Sequence, residues 1–182
     1  MKTRILGTLL MSAALTLGAS ESPKPAPGSD AAIGNQLRRD IVAYSDYSVF
    51  DDVAYGVTNG QVNLGGVVTD ASKKTAIEKL ARSVHGVTSV HDNIQVLTGG
   101  TVDNQLRTAI ERAIYGTPVF DHYAYEGRKP VRIIVDHGHV TLEGVVQSQL
   151  EKDVAGVNAA AVGLREGPVS NNLQVAPAAR NS

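Results

Sequence analysis

The chain repeats itself, and no other feature constrains its fold as much. Asn35-Gln36-Leu37-Arg38 returns as Asn104-Gln105-Leu106-Arg107, and Val49-Phe50-Asp51 returns as Val119-Phe120-Asp121. Gly60-Gln61-Val62-Asn63-Leu64-Gly65-Gly66-Val67-Val68 returns as Gly138-His139-Val140-Thr141-Leu142-Glu143-Gly144-Val145-Val146, identical at six of nine positions. Asn93-Ile94-Gln95-Val96 returns as Asn172-Leu173-Gln174-Val175. Four blocks in one order mean one structural unit built twice. The spacing between matched blocks grows from 69 to 70, 78 and 79 residues, so the copies differ by loop insertions. The largest insertion lies between His122 and Pro130.

Each copy opens on a helical period: Ile33, Leu37, Ile41 and Tyr44 in the first, Val102, Leu106, Ile110 and Ala113 or Ile114 in the second. Spacings of three and four put these side chains on one face. Asp30 and Thr101 are the expected N-caps. Strict alternation follows, through Val53, Tyr55 and Val57 to Asn59-Gly60 and on to Val62 and Leu64. Asn-Gly is a strong hairpin signal, because a type I′ turn needs positive φ at both central residues. The second copy repeats the pattern with Val131, Ile133 and Val135, His137-Gly138, then Val140 and Leu142. Gly66 and Gly144 are expected to end the second strands.

A second helix buries Ala76, Ile77, Leu80, Ala81 and Val84 in copy one, and Leu150, Val154, Val157 and Ala161 in copy two, where it reads longer. Ser148 and Glu151 form a capping box at its start. Gly86 stops the first of these helices and Gly167-Pro168 the second. Val90, Ile94 and Val96, or Val169, Leu173 and Val175, form the last strand. The predicted fold is α+β: two copies of an α-β-β-α-β module, each a three-stranded sheet with two helices on one face. The modules span 33–98 and 102–176, with a disordered tail at 177–182. Chains this short sit near the lower limit for folding alone. The joint Thr98-Gly99-Gly100-Thr101 is too short to hold the modules far apart, so a shared interface is expected.

The start of the chain reads differently. Lys2 and Arg4 precede an apolar run from Ile5 to Leu17, and Gly18, Ala19 and Ser20 are small. This is the pattern of a secretory signal peptide over 1–19. The alternative is an uncleaved anchor, although the run falls short of the roughly 20 apolar residues that span a bilayer. Residues 20–32 hold Pro23, Pro25 and Pro27 and read as a flexible linker. No later segment could cross a membrane.

Composition narrows the chemistry. A formal net charge of −1 provides no long-range field for nucleic acid or anionic lipid, so any such attraction must be local. With no cysteine there is no disulfide, no thiolate metal site and no lipid-modified N-terminal cysteine. His137 and His139 share a strand face near His122, which permits a weak metal site; the other reading is turn and surface histidines, as for His85 and His91. Asp51-Asp52 reads as a turn entry, with no calcium loop around it. No phosphate loop or nucleophile elbow occurs. The reading is therefore non-enzymatic, with no cofactor and no metal. One basic–aromatic group does suit a membrane surface: Arg107, Arg112 and Tyr115 on the second opening helix, with Tyr125, Arg128 and Lys129 in the insertion beside Tyr123. Its alternative is a solvated helix face and loop, diluted by Glu111, Asp121 and Glu126.

The pattern G-x-V-x-L-x-G-x-V, an amphipathic helix, then G-V-x-x-V-x-N-x-[IL]-x-V resembles the BON domain. Here it stands as Gly60 to Val68 and Gly86-Val87-Thr88-Ser89-Val90-His91-Asp92-Asn93-Ile94-Gln95-Val96. The second copy departs from it: Gly167 and Asn172 stand two residues closer than Gly86 and Asn93. The turn glycines carrying the likeness are Gly60, Gly66, Gly86, Gly138, Gly144 and Gly167. Two such domains behind a signal peptide is the layout of the periplasmic osmotically inducible protein Y family and of outer-membrane-associated lipoproteins with the same domain; lacking cysteine, this chain resembles the former. The resemblance implies a non-enzymatic periplasmic protein, not a lipoprotein, that binds anionic phospholipid surfaces in osmotic or envelope stress, or else serves envelope proteins as an adaptor.

Overall fold

The computed structural model describes residues 25–97, 99–125, 129–163 and 165–177. The signal-peptide reading of 1–19 and most of the tail fall outside them. Module one runs α1 (Asp30–Ala43), β1 (Asp52–Thr58), β2 (Gln61–Val68), α2 (Ala71–Ser83), β3 (Ser89–Asp92) and β4 (Gln95–Val96). Module two runs α3 (Thr101–Tyr115), a 3-10 turn (Pro118–Phe120), α4 (Asp121–Tyr125), β5 (Val131–Asp136), β6 (His139–Val146), α5 (Gln149–Ala161), β7 (Ser170–Asn171) and β8 (Gln174–Val175). In each sheet the hairpin is antiparallel and the last strand pairs parallel to the middle one, as β2 with β3 and β4, or β6 with β7 and β8. The predicted third strand is thus a broken one, in two short pieces. One module's core centres on Leu37, Leu64 and Ile77, the other's on Ile110, Ile133 and Leu142.

The hairpins form as their turn residues require. Asn59 and His137 have φ of 51° and 49°, and the glycines after them 75° and 76°. The unpaired N–H groups of both turn residues go to one carboxylate. Asp30 accepts from Asn59 and Gly60 at 2.8 Å each, and Asp103 from His137 and Gly138 at 2.9 Å each. Neither aspartate is an N-cap. Ser29 caps α1, and Gly100, not Thr101, stands at the cap of α3.

This shared clamp corrects the repeat. If Asp30 matches Asp103, then Ile33, Leu37 and Ile41 match Leu106, Ile110 and Ile114, all buried. The helices therefore correspond at a spacing of 73 residues, not the 69 of the Asn-Gln-Leu-Arg match. Local identity had paired them one helical turn out of step, and Val102, expected inside, is 53 % exposed.

Other expectations shift for physical reasons. Gly66 and Gly144 do not end their strands; they lie inside β2 and β6 at φ of 95° and 123°. A Cβ on either would stand 2.1 Å from a carbonyl oxygen, of Asp52 or Pro130, across the hairpin. α2 and α5 are equally long, at 13 residues. They end at Ser83 and Ala161, with Val84 and Val162 as C-caps, ahead of Gly86 and well ahead of Gly167. Thr88 N–H donates to Gly60 O where Glu166 N–H donates to Gly138 O, so Gly167 is not the counterpart of Gly86.

The face of α5 is also rotated. Ala155 and Ala159 are buried, whereas Leu150 and Val157 are 61 % and 69 % exposed. α5 approaches α3 closely enough for the Asn158 amide to donate to Ala113 O at 3.0 Å and to Thr117 Oγ1 at 2.7 Å. Only small side chains fit between them. The expected capping box is half formed: Ser148 Oγ accepts from Glu151 N–H, but the Glu151 carboxylate accepts from Gln147 N–H and Tyr123 Oη.

Candidate functional site

Between α1 and β1 the chain makes a short polar-anchored loop whose Val49-Phe50 pair points away from its own module. Asp51 shapes it. Its fully buried carboxylate accepts from Ser48 N–H and Oγ, Thr69 N–H and Oγ1, and Lys73 Nζ, all at 2.7–2.9 Å. Burial by itself pushes this carboxyl up, but the Lys73 ammonium and the Thr69 and Ser48 donors outweigh it and hold it below the ordinary range. Val49 then packs in the core of module two, and Phe50 against it.

A cleft of about 880 Å³ opens beside this junction. Module one supplies Val42, Tyr47 and Phe50 to its wall; module two supplies Tyr115, Lys129 and Arg132. Tyr115 is fixed by a reciprocal pair of bonds, accepting from Val131 N–H at 2.9 Å and donating to Val131 O at 3.1 Å. Burial pushes its phenol up, and does the same to Tyr47. The Arg132 guanidinium lies 4.8 Å over the Tyr47 ring and donates to Ser48 O. Lys129 stands 5.4 Å over the Tyr115 ring and pairs with Glu111 at 2.7 Å. The cleft thus has aromatic walls, two cations held at its rim, and exposed Val42 at its edge.

Of the residues predicted for a membrane surface, Tyr115 and Lys129 line this cleft, and Tyr125, 91 % exposed, follows its lining residue Ala124. Arg128 lies outside the described residues. Arg112 is exposed on α3 but not on the cleft. Arg107 is buried; its guanidinium donates to Asn104 Oδ1 and Val135 O, and desolvation lowers its pKa. Residues five apart on a helix diverge by about 140°, so Arg107 and Arg112 cannot share a face. Sequence reasoning missed Tyr47, Phe50 and Arg132. The available signal was an apolar pair, Val49-Phe50, in a loop with no strand or helix period to bury it. Among the described residues no three histidines or acids converge on a metal site. His137 Nδ1 instead lies 2.7 Å from Asp136. No described helix is long and apolar enough to cross a membrane.

Fold and cleft together define a protein of two fused α-β-β-α-β modules with a composite surface between them. It belongs to the BON-domain family, whose profile matches residues 29–98 and 102–177. BON domains are non-catalytic and are associated with the cell envelope and with phospholipid binding. No curated protein matches the chain. Among solved structures it is similar to the C-terminal domain of CdsD, the structural protein of the type III secretion system of Chlamydia trachomatis. The identity is 14 %, over 79 % of this chain and 96 % of that one, with a TM-score of 0.27. A second structure of CdsD aligns at 13 % identity over 81 % and 93 %, with a TM-score of 0.29.

Proposed function

We propose that the chain is a non-enzymatic envelope protein that binds anionic phospholipid surfaces through the rim of the inter-module cleft. The observation carrying this is the grouping of Lys129 and Arg132 over aromatic walls, beside the exposed side chains of Val42 and Tyr125. Cations there meet headgroup phosphate, while the ring and the aliphatic side chain sit at headgroup depth. A cation near an anionic surface contributes about 1 kcal/mol, so binding is weak and salt-sensitive. The signal-peptide reading of residues 1–19, and the lack of cysteine, support a soluble periplasmic protein that is not a lipoprotein. The tandem layout supports a role in osmotic or envelope stress like that of the osmotically inducible protein Y family.

Vesicle co-sedimentation tests this. The protein should sediment with anionic but not zwitterionic vesicles at low salt, and release as salt rises. Lys129→Glu with Tyr125→Ala should weaken binding several-fold. Failure to bind anionic vesicles at low salt rejects the reading.

A second reading, an adaptor for other envelope proteins, draws on α5. Its outward residues Leu150 and Val157 replace Ser72 and Lys79 of α2, leaving an apolar face where the sister helix is polar. Association with envelope proteins that ignores lipid and is lost in Leu150→Ser/Val157→Lys would favour it.

A further inference from the structure

The segment Ser48–Asp51 touches both modules in three ways. Val49 belongs by sequence to module one, yet it is 7 % exposed within the core that holds Leu106, Ile110, Phe120 and Ile133. Its carbonyl accepts from Ile133 N–H at 2.7 Å, so the segment also covers part of the edge of β5, whose other side pairs with β6. Finally, Ser48 stands at both ends of the junction. Its N–H and hydroxyl go to Asp51, and its carbonyl accepts from Arg132 Nη1 at 3.0 Å. A continuous run of polar contacts therefore links Lys73 on α2 to Asp51, Ser48 and Arg132 on β5.

We infer that Ser48–Asp51 is a latch joining the modules: Asp51 and Lys73 hold it in module one, Val49 completes the core and edge of module two, and the pair folds and moves as one body. The physical reason is that a side chain inserted into a foreign core is useful only while its backbone is held at the right place. Val49 has no strand or helix to hold it. Between α1 and β1 the backbone is in turns, and its position is set by the bonds Asp51 makes to Ser48 on one side and to Thr69 and Lys73 on the other. Releasing the carboxylate frees the loop, and the loop withdraws the peg. An exposed edge strand is a liability that proteins cover, and here one module covers the other's. Module two is built differently at the matching place: Tyr123, from its own insertion, meets Glu151 at 2.7 Å, at the position of Lys73, and no described loop of module two enters the core of module one. The dependence therefore runs one way, from module one to module two. It does not rely on the nature of the surface partner.

Hydrogen–deuterium exchange on the full chain tests it, read separately over β1–β2 and over α3 and β5. Lys73→Met removes the ion partner of Asp51 on a helix of module one and leaves every residue of module two unchanged. It should raise exchange at Val131–Asp136 by tenfold or more, with Lys79→Met, an exposed lysine on the same helix, as the unchanged control. Val49→Ala keeps the Asp51 network and should raise exchange in module two while leaving β1–β2 within twofold of wild type. In the double variant, Val49→Ala should add little to Lys73→Met within module two. The latch is overturned if Lys73→Met loosens module one alone, or if the two substitutions act additively on module two. Should Lys73→Met fail to fold, Val49→Ala decides: no change at β5 discards the inference.

Discussion

The two modules satisfy the same point of the fold with opposite charges. Where β2 passes into α2, Thr69 N–H needs an acceptor, and Asp51 comes from the preceding loop to provide it, balanced by Lys73 on the helix. Where β6 passes into α5, Gln147 N–H needs one too, but the carboxylate is Glu151 on the helix itself, and the insertion brings a phenol, Tyr123, to meet it. The positions of Lys73 and Glu151 are equivalent and their charges inverted. The lesson is that the fold specifies a satisfied backbone donor at this turn, not a residue type, because either pairing gives that N–H an acceptor. The same trade appears beneath the opening helices. Gly34 lies against Tyr55 and Val57 in module one, while the matching positions in module two hold Arg107, Ile133 and Val135.

Exchanging residues between the modules tests that equivalence. Lys73→Glu, module one carrying module two's residue without its tyrosine, sets two carboxylates together in a buried site. It should cost about 3–5 kcal/mol by urea unfolding, the scale of a buried charge left unpaired. The reciprocal Glu151→Lys leaves Gln147 N–H and Tyr123 facing a donor, and should cost about 1–3 kcal/mol. Equal costs would mean that the two clasps do not differ in charge logic. Gly66→Ala and Gly144→Ala should destabilise alike, by at least the roughly 1–3 kcal/mol of a strained backbone, since each Cβ meets a carbonyl at the same 2.1 Å. A module-specific outcome there would break the strand correspondence.

Acid should separate the clasps more gently. The folded carboxyl of Asp51 is held below its ordinary 3.8, so its contribution is complete above that value and lost as pH falls through the lower folded one. Acid titration of stability should therefore show a limb below pH 3.8 that disappears in Asp51→Asn. The smallest effect belongs to Val157→Lys, which restores the residue of the sister helix on an exposed face and should change stability by no more than about 0.5 kcal/mol. A larger loss would show that something covers α5.

Much of this fold was legible without coordinates. The element order, the two turns, the cores of α1, α2 and both hairpins follow from period and turn chemistry, which act within a few residues. The helix register was legible only in part, since the Asn-Gln-Leu-Arg identity matched composition one turn away from the buried positions. α5 misled for a related reason: its larger aliphatics face out because close packing on α3 selects alanine. Of the cleft, the sequence signalled Tyr115 and Lys129 but not their neighbours from module one. Sequence alone places Arg107 on a surface, where a charged residue usually lies, because its backbone acceptor on Val135 is 28 residues away.

Repetition, alternation and the Asn-Gly and His-Gly turns determined by themselves that this chain is one α-β-β-α-β unit made twice, because such signals reflect the backbone's local preferences. Which residues cross from one unit to the other was decided only in three dimensions. Val49 reaching Ile133 and Arg132 reaching Ser48 are contacts whose free energy depends on burial and distance, and neither is written into the order of the residues.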